Sequence, residues 1–157
     1  MTVSTLLTAA LAVGHVGLAA VWMGSMLYSL LIVQPRVSRF LAGDDDRLEE
    51  LLTLLGSGNR RPVLAIIAGL LVSGALLAGV LEPEPAQVAL LTAEGVLVLA
   101  AAAVFARVSW WLWPRRVFAL PSERPAHRAS LYRHALAMVA LVGAAFTLAV
   151  TTLATSS

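Results

Sequence analysis

The chain of 157 residues contains no cysteine and no lysine, and only 13% of it is charged. Without cysteine there can be no disulfide, thiolate metal site, iron–sulfur cluster or cysteine nucleophile. The charged fraction compares with about 25% in an ordinary soluble domain. What replaces charge is apolar: 59% of the residues are hydrophobic and the mean hydropathy is +0.86. A water-soluble domain of this size cannot hide so much apolar surface, so lipid must be the solvent for much of the chain. Disorder, a coiled coil and a collagen-like fibre are excluded by the same composition, and the length fits one domain.

A bilayer core takes about 20 apolar residues per helix. Four stretches qualify, over residues 5–33, 62–81, 88–113 and 130–154, with proline and charge clusters as breaks between them. The first has no basic residues ahead of it and runs past signal-peptide length, so it is read as a retained span. The eleven basic residues, all arginine, set the orientation. Arg36, Arg39, Arg47, Arg60 and Arg61 lie between spans one and two; Arg115, Arg116, Arg124 and Arg128 lie between spans three and four. The Glu82-Pro83-Glu84-Pro85 turn and both ends of the chain carry none. The expectation is an all-α, integral membrane four-helix bundle of two hairpins. It is a multi-pass protein of the cytoplasmic membrane with both arginine loops inside and both termini outside. Trp110, Trp111, Trp113 and Tyr132 then form an inner aromatic belt.

Within the first loop, Asp44-Asp45-Asp46 precedes an apolar run in which Leu48, Leu51, Leu52 and Leu55 share one face, ending at Gly56-Ser57-Gly58-Asn59. This predicts a short amphipathic cytoplasmic helix on the membrane surface or capping the bundle. A weak internal echo also shows. Span one leaves through Val33-Gln34-Pro35-Arg36 and span three through Trp113-Pro114-Arg115, as two tandem hairpins would.

Ionisable side chains inside a membrane are functional candidates by default, and here they are His15, Glu94, Arg107 and His134. Counting rise per residue puts His15 roughly 15 Å and Glu94 roughly 9 Å from the outer surface. His134 and Arg107 lie nearer the inner surface, with Tyr28 at similar depth. His15 and His134, roughly 20 Å apart along the membrane normal, should not share one haem. His15, Trp22 and Met26 fall on one stripe of span one, with Gly17, Gly24 and Tyr28 opposite. Ala20/Gly24, Gly69/Ser73 and Ala75/Gly79 are small-xxx-small pairs suited to close helix approach. His134 and Met138 share a face of span four, and Met26 sits at a depth comparable to Met138. A Met/His cluster suited to Cu(I) is therefore geometrically open. Plainer roles stand beside these. Methionines fill packing gaps, His15 can be a hydrogen-bonded interior residue, and Glu94 can reach for water. Arg107 and His134 can contact headgroups, and His127 can be solvated.

The run His15-Val-Gly-Leu-Ala-Ala-Val-Trp22-Met-Gly24, followed by Pro35-Arg36, resembles the first helix of the CopD-like copper-resistance membrane family. Arg60-Arg61-Pro62 through Gly69 and Gly74, and the span from Leu90 to Pro114-Arg115, are similar to its later helices. The resemblance implies copper handling across the membrane, with His15 as the leading metal residue. Met26, His134 and Met138 would follow along the path, and Glu94 would stand beside the metal. The His15, Trp22 and Tyr28 spacing also resembles the first helix of HemJ-type protoporphyrinogen oxidases. That likeness implies haem b, with His15 and Trp22 at the cofactor. A third reading is a non-catalytic accessory subunit of a larger membrane complex, or a homo-oligomer, associating through the Gly/Ala faces. No nucleophile–base–acid set is evident in the sequence, which argues against hydrolysis. The arginines are accounted for by topology rather than by nucleic acid. Whether the chain is an enzyme stays open on the sequence, which leans against it.

Overall fold

The computed structural model describes residues 2–80 and 84–155. Among these the architecture is all-helical: α1 (Val3–Tyr28), α2 (Gln34–Phe40), α3 (Asp45–Gly56), α4 (Arg60–Val80), α5 (Pro85–Arg107), α6 (Trp113–Val117) and α7 (Arg124–Thr155). Four of the helices are long and apolar enough to cross a membrane. They close into a ring in which α1 packs on α4 and α7, and α5 packs on α4 and α7. Leu31, Val72, Val96 and Leu99 point outward and are more than half exposed. In water such a surface would be an aggregation site; in lipid it is the solvated face. Two features expected from the sequence, the end of span two at Leu81 and the Glu82-Pro83 half of the acidic turn, lie outside the described residues.

Local chemistry sets the helix starts. Thr2 accepts from the Thr5 amide before α1, and Asp44 accepts from the Arg47 amide at the head of α3. Gln87 reaches back to the Glu84 amide, and Pro85 opens α5 where its missing N–H costs nothing. Gly43 (φ +95°) and Gly58 (φ +83°) make the left-handed turns on either side of α3.

The expected breaks at Pro35 and Pro114 are not breaks. Each helix runs through its proline by widening one turn ahead of it. Ser29–Val33 and Val108–Leu112 are π-helical, with the Gln34 amide on the Ser29 carbonyl and the Trp113 amide on the Val108 carbonyl. A proline ring clashes with the carbonyl four residues back and has no N–H to offer, and the wider turn relieves the clash. The carbonyl that Pro114 would have served in that register belongs to Ser109. Arg60 Nη2 donates to it instead, at 2.6 Å, and the same guanidinium lies 4.8 Å from the Trp110 ring centroid.

The echo between hairpins is deeper than the Pro-Arg exits. α1 and its π-turn bury His15, Ala19, Trp22 and Leu30; α5 and its π-turn bury Glu94, Val98, Ala101, Phe105 and Ser109. Glu94, Val98, Ala101 and Ser109 each follow a buried counterpart by the 79 residues that separate His15 from Glu94, and Phe105 follows the partly buried Met26. The two prolines and the two π-turns keep the same spacing. Trp22, Ile67, Leu70, Ala101, Met138 and Val142 fill the middle of the bundle.

The small-residue faces divide. A Cβ on Gly69 would meet Leu18 Cδ1 at 2.8 Å, so this face of α4 does take α1 at close range. Gly17 and Gly24 have nothing within 4 Å of such a Cβ, so the matching face of α1 is turned away from the rest of the chain.

Candidate functional site

His15 is buried at the interface of α1, α4 and α5. Its Nε2 lies 2.7 Å from Glu94 Oε1 and its Nδ1 lies 2.6 Å from Ser73 Oγ. All three side chains are more than nine-tenths enclosed. Gly74 makes room for the ring, since a Cβ there would stand 3.3 Å from His15 Cε1. Ser73 is anchored in turn to its own helix through the Gly69 carbonyl at 2.6 Å. His15 and Glu94, but not Ser73, reach a cavity of about 380 Å³ opening between α4 and α5, walled by Leu70, Ala78, Leu91 and Val98.

The chain Ser73–His15–Glu94 corrects the expectation that no nucleophile, base and acid come together. It is nonetheless a poor hydrolytic set, because the hydroxyl is tied to the helix backbone and does not line the cavity. What the arrangement does well is hold a proton in two ways. When His15 carries both ring protons, Nδ1–H donates to Ser73, Ser73 donates to Gly69, and Nε2–H donates to Glu94. When Nδ1 is bare, the Ser73 hydroxyl turns to it and Nε2–H stays on Glu94. Neither state strands a buried donor. An ionised Glu94 beside a neutral His15 leaves one buried negative charge, which a single proton or monovalent cation cancels.

The other sequence-predicted residues lie elsewhere. Trp22 is almost wholly enclosed in the core, Met138 is buried in the same cluster and Met26 packs against it. His134 is half-buried, and its Nδ1 lies 2.8 Å from the Ser130 carbonyl one turn earlier in α7. The structure thus joins His15 to Glu94 and gives Met26, Met138 and His134 partners of other kinds. Arg107 and Tyr28 are exposed. Ser73 was missed as a site residue, although it is the one hydroxyl in the apolar run of α4 and so the natural second partner for a buried imidazole.

A second polar cluster lies at the arginine-bearing end. Glu49 of α3 and Arg116 of α6 are both buried and paired, Nε to Oε1, at 2.6 Å. Arg124 Nη1 donates to Asp46 at 2.6 Å, and Arg128 Nη1 lies 3.5 Å from Asp45 and 3.6 Å from Glu49. The Asp46 carboxylate holds the Arg124 guanidinium above its ordinary range. Trp113 stacks its ring over Gly56, whose missing side chain makes the space. These contacts dock α3 against the heads of α6 and α7.

Compared with family models, curated proteins and solved structures, the chain matches none.

Proposed function

We propose that this is a multi-pass protein of the cytoplasmic membrane that handles copper at His15. Both arginine-bearing loops face the cytoplasm and both termini face outward, as the arginine distribution requires. α3, amphipathic in sequence, lies at the inner surface. His15 and Glu94 then stand in the outer half of the bundle beside the cavity between α4 and α5.

The observation that carries the reading is the 2.7 Å contact between His15 Nε2 and Glu94 Oε1 at the wall of that cavity. Imidazole is a ligand for copper, and a Cu(I) ion on the His15–Glu94 pair would leave no net charge in the lipid-level interior. The ion would bind Nε2 in place of its proton, which leaves through the cavity, while His15 keeps its Nδ1 proton on Ser73 and the carboxylate remains the ion's neighbour. Trp22, Ala101 and Val142 belong to the apolar core of the bundle. Copper would reach the pair through the cavity between α4 and α5, with Met138 and His134 as the next donors inward. Haem b on His15 and Trp22 is the alternative; against it, Trp22 is enclosed in the core, and the larger cavity, at the arginine-bearing end, is lined by no histidine among the described residues.

The test is metal binding by the purified protein in mild detergent. Wild type should hold one Cu(I) per chain, without a Soret band. His15→Ala should lose it and His134→Ala should keep it. Copper retained in full by His15→Ala would overturn the site, and a Soret band that depends on His15 would overturn the cargo. Orientation is read separately. The chain has no cysteine, so Ser57→Cys offers a unique thiol, which should be shielded from an impermeant maleimide in intact cells.

A further inference from the structure

At the arginine-bearing end, a cavity of about 1000 Å³ opens between the exit of α1, the α3–α4 turn, α5 and α7. Its lining changes character with depth. Arg60, Arg61, Arg116 and Arg128 stand around one part, and Phe105 and Met138 of the bundle core stand at the other. No acidic side chain is among the lining residues.

Two of these guanidiniums are incompletely satisfied. Arg116 is 8% exposed; its Nε is used by Glu49, its ring contact is with Trp113 at 5.4 Å, and its Nη2 is buried without a hydrogen-bond partner. Arg128 Nη1 is ion-paired with the Asp45 and Glu49 carboxylates at 3.5 and 3.6 Å but is likewise buried without a hydrogen bond, and Glu49 Oε2 is also unpartnered. Asp45 and Glu49 thus balance the charge of Arg116 and Arg128, and what is left over is hydrogen-bonding capacity, above all at the enclosed Arg116 Nη2. A buried guanidinium N–H with no acceptor is costly, and it marks the place of an acceptor that the chain itself does not supply.

We infer that this cavity binds a phosphate headgroup, and that the phosphate belongs to an anionic phospholipid. The arginines supply the fork geometry that phosphate oxygens accept. The apolar wall running to Phe105 and Met138 supplies what an acyl chain needs and a free phosphate cannot use. The volume is also far larger than an inorganic ion fills. The site lies where the apolar spans end, at the level of bilayer headgroups, where basic pockets between helices hold acidic lipids. The inference needs only membrane residence and is independent of the copper reading.

The experiment is native mass spectrometry of the full chain released from detergent doped with phosphatidylglycerol or phosphatidylcholine, with inorganic phosphate as competitor. Wild type should retain one phosphatidylglycerol at least about tenfold more tightly than phosphatidylcholine, as expected for charged hydrogen bonds. Millimolar inorganic phosphate should not displace it. Arg128→Gln, and separately the neutral double variant Glu49→Gln/Arg116→Gln, should lose that preference. Arg36→Gln/Arg115→Gln, which removes two exposed arginines outside the cavity, should keep it. Equal retention of the two lipids, loss in the outside variant, or displacement by phosphate alone would each overturn the inference. The double variant keeps a hydrogen-bonding pair in place of the buried ion pair. Its fold is checked by its helical signal and its thermal unfolding in detergent, so a lost preference is read on folded protein.

Discussion

In the first hairpin α1 presents His15, Trp22 and Leu30 to the centre of the bundle; 79 residues on, α5 presents Glu94, Ala101 and Ser109. The register is shared and the chemistry is complementary. A base meets an acid, and the largest side chain in the core shares a layer with one of the smallest. Were the residues at these two positions alike, two imidazoles or two carboxylates would face each other in a medium that tolerates neither pair. The site thus depends on unlike residues at corresponding register positions of the two hairpins. α4 adds to it unilaterally, through Ser73.

The sharpest way to break this comparison is to exchange the pair. His15→Glu alone or Glu94→His alone sets like groups against each other in the interior. Each should cost about 3–5 kcal/mol of stability, the usual penalty for orphaning a buried charged partner. The exchange His15→Glu/Glu94→His should recover most of that loss, because Ser73 can donate to a carboxylate as well as to an imidazole. Thermal unfolding in detergent decides it; a double variant as unstable as the summed singles would end the equivalence. A smaller effect is expected one layer down. Ala101→Leu overfills the space beside Trp22 and should cost about 1–3 kcal/mol. Adding Trp22→Ala should return part of it, read on the same unfolding curves. The smallest contrast is between two glycines flanking the pair. Gly74→Ala presses on the His15 ring and should cost about 1 kcal/mol while weakening Cu(I) retention. Gly95→Ala enters open space and should be neutral, or stabilising by up to about 1 kcal/mol through helix propensity.

Much of the architecture was legible in the residues because lipid leaves a chain few options. Four apolar stretches had to be helices, and counting rise per residue paired His15 with Glu94 at the terminal end before any contact was visible. What stayed hidden depended on partners distant in sequence. Ser73 reads as half of a small-residue pair with Gly69, and nothing local says that an imidazole fills the gap. Glu49 flanks the leucine face of α3, and Arg116 reads as one more topological charge; their pairing appears only when α3 folds back on α6. Proline in a sequence signals a break, whereas here the neighbouring turn of the long apolar helix widens and the helix goes on. The shared register of α1 and α5 was also obscured, because their buried residues match in position and not in type.

Each widened turn adds one residue to the winding of its helix, so everything beyond it is rotated by about 100° from where an unbroken α-helix would put it. An α-helix of ordinary pitch that kept every residue of Val108–Leu112 would carry Arg116 around the axis, off Glu49, whereas deleting one residue there removes the extra residue together with the widening and leaves Arg116 facing the same way. The coupling between the α3 side of the molecule and its second hairpin is therefore set by counting rather than by composition. A one-residue deletion inside the widened turn should preserve it, and a one-residue insertion between that turn and Arg116, conservative to any measure of hydropathy, should break it.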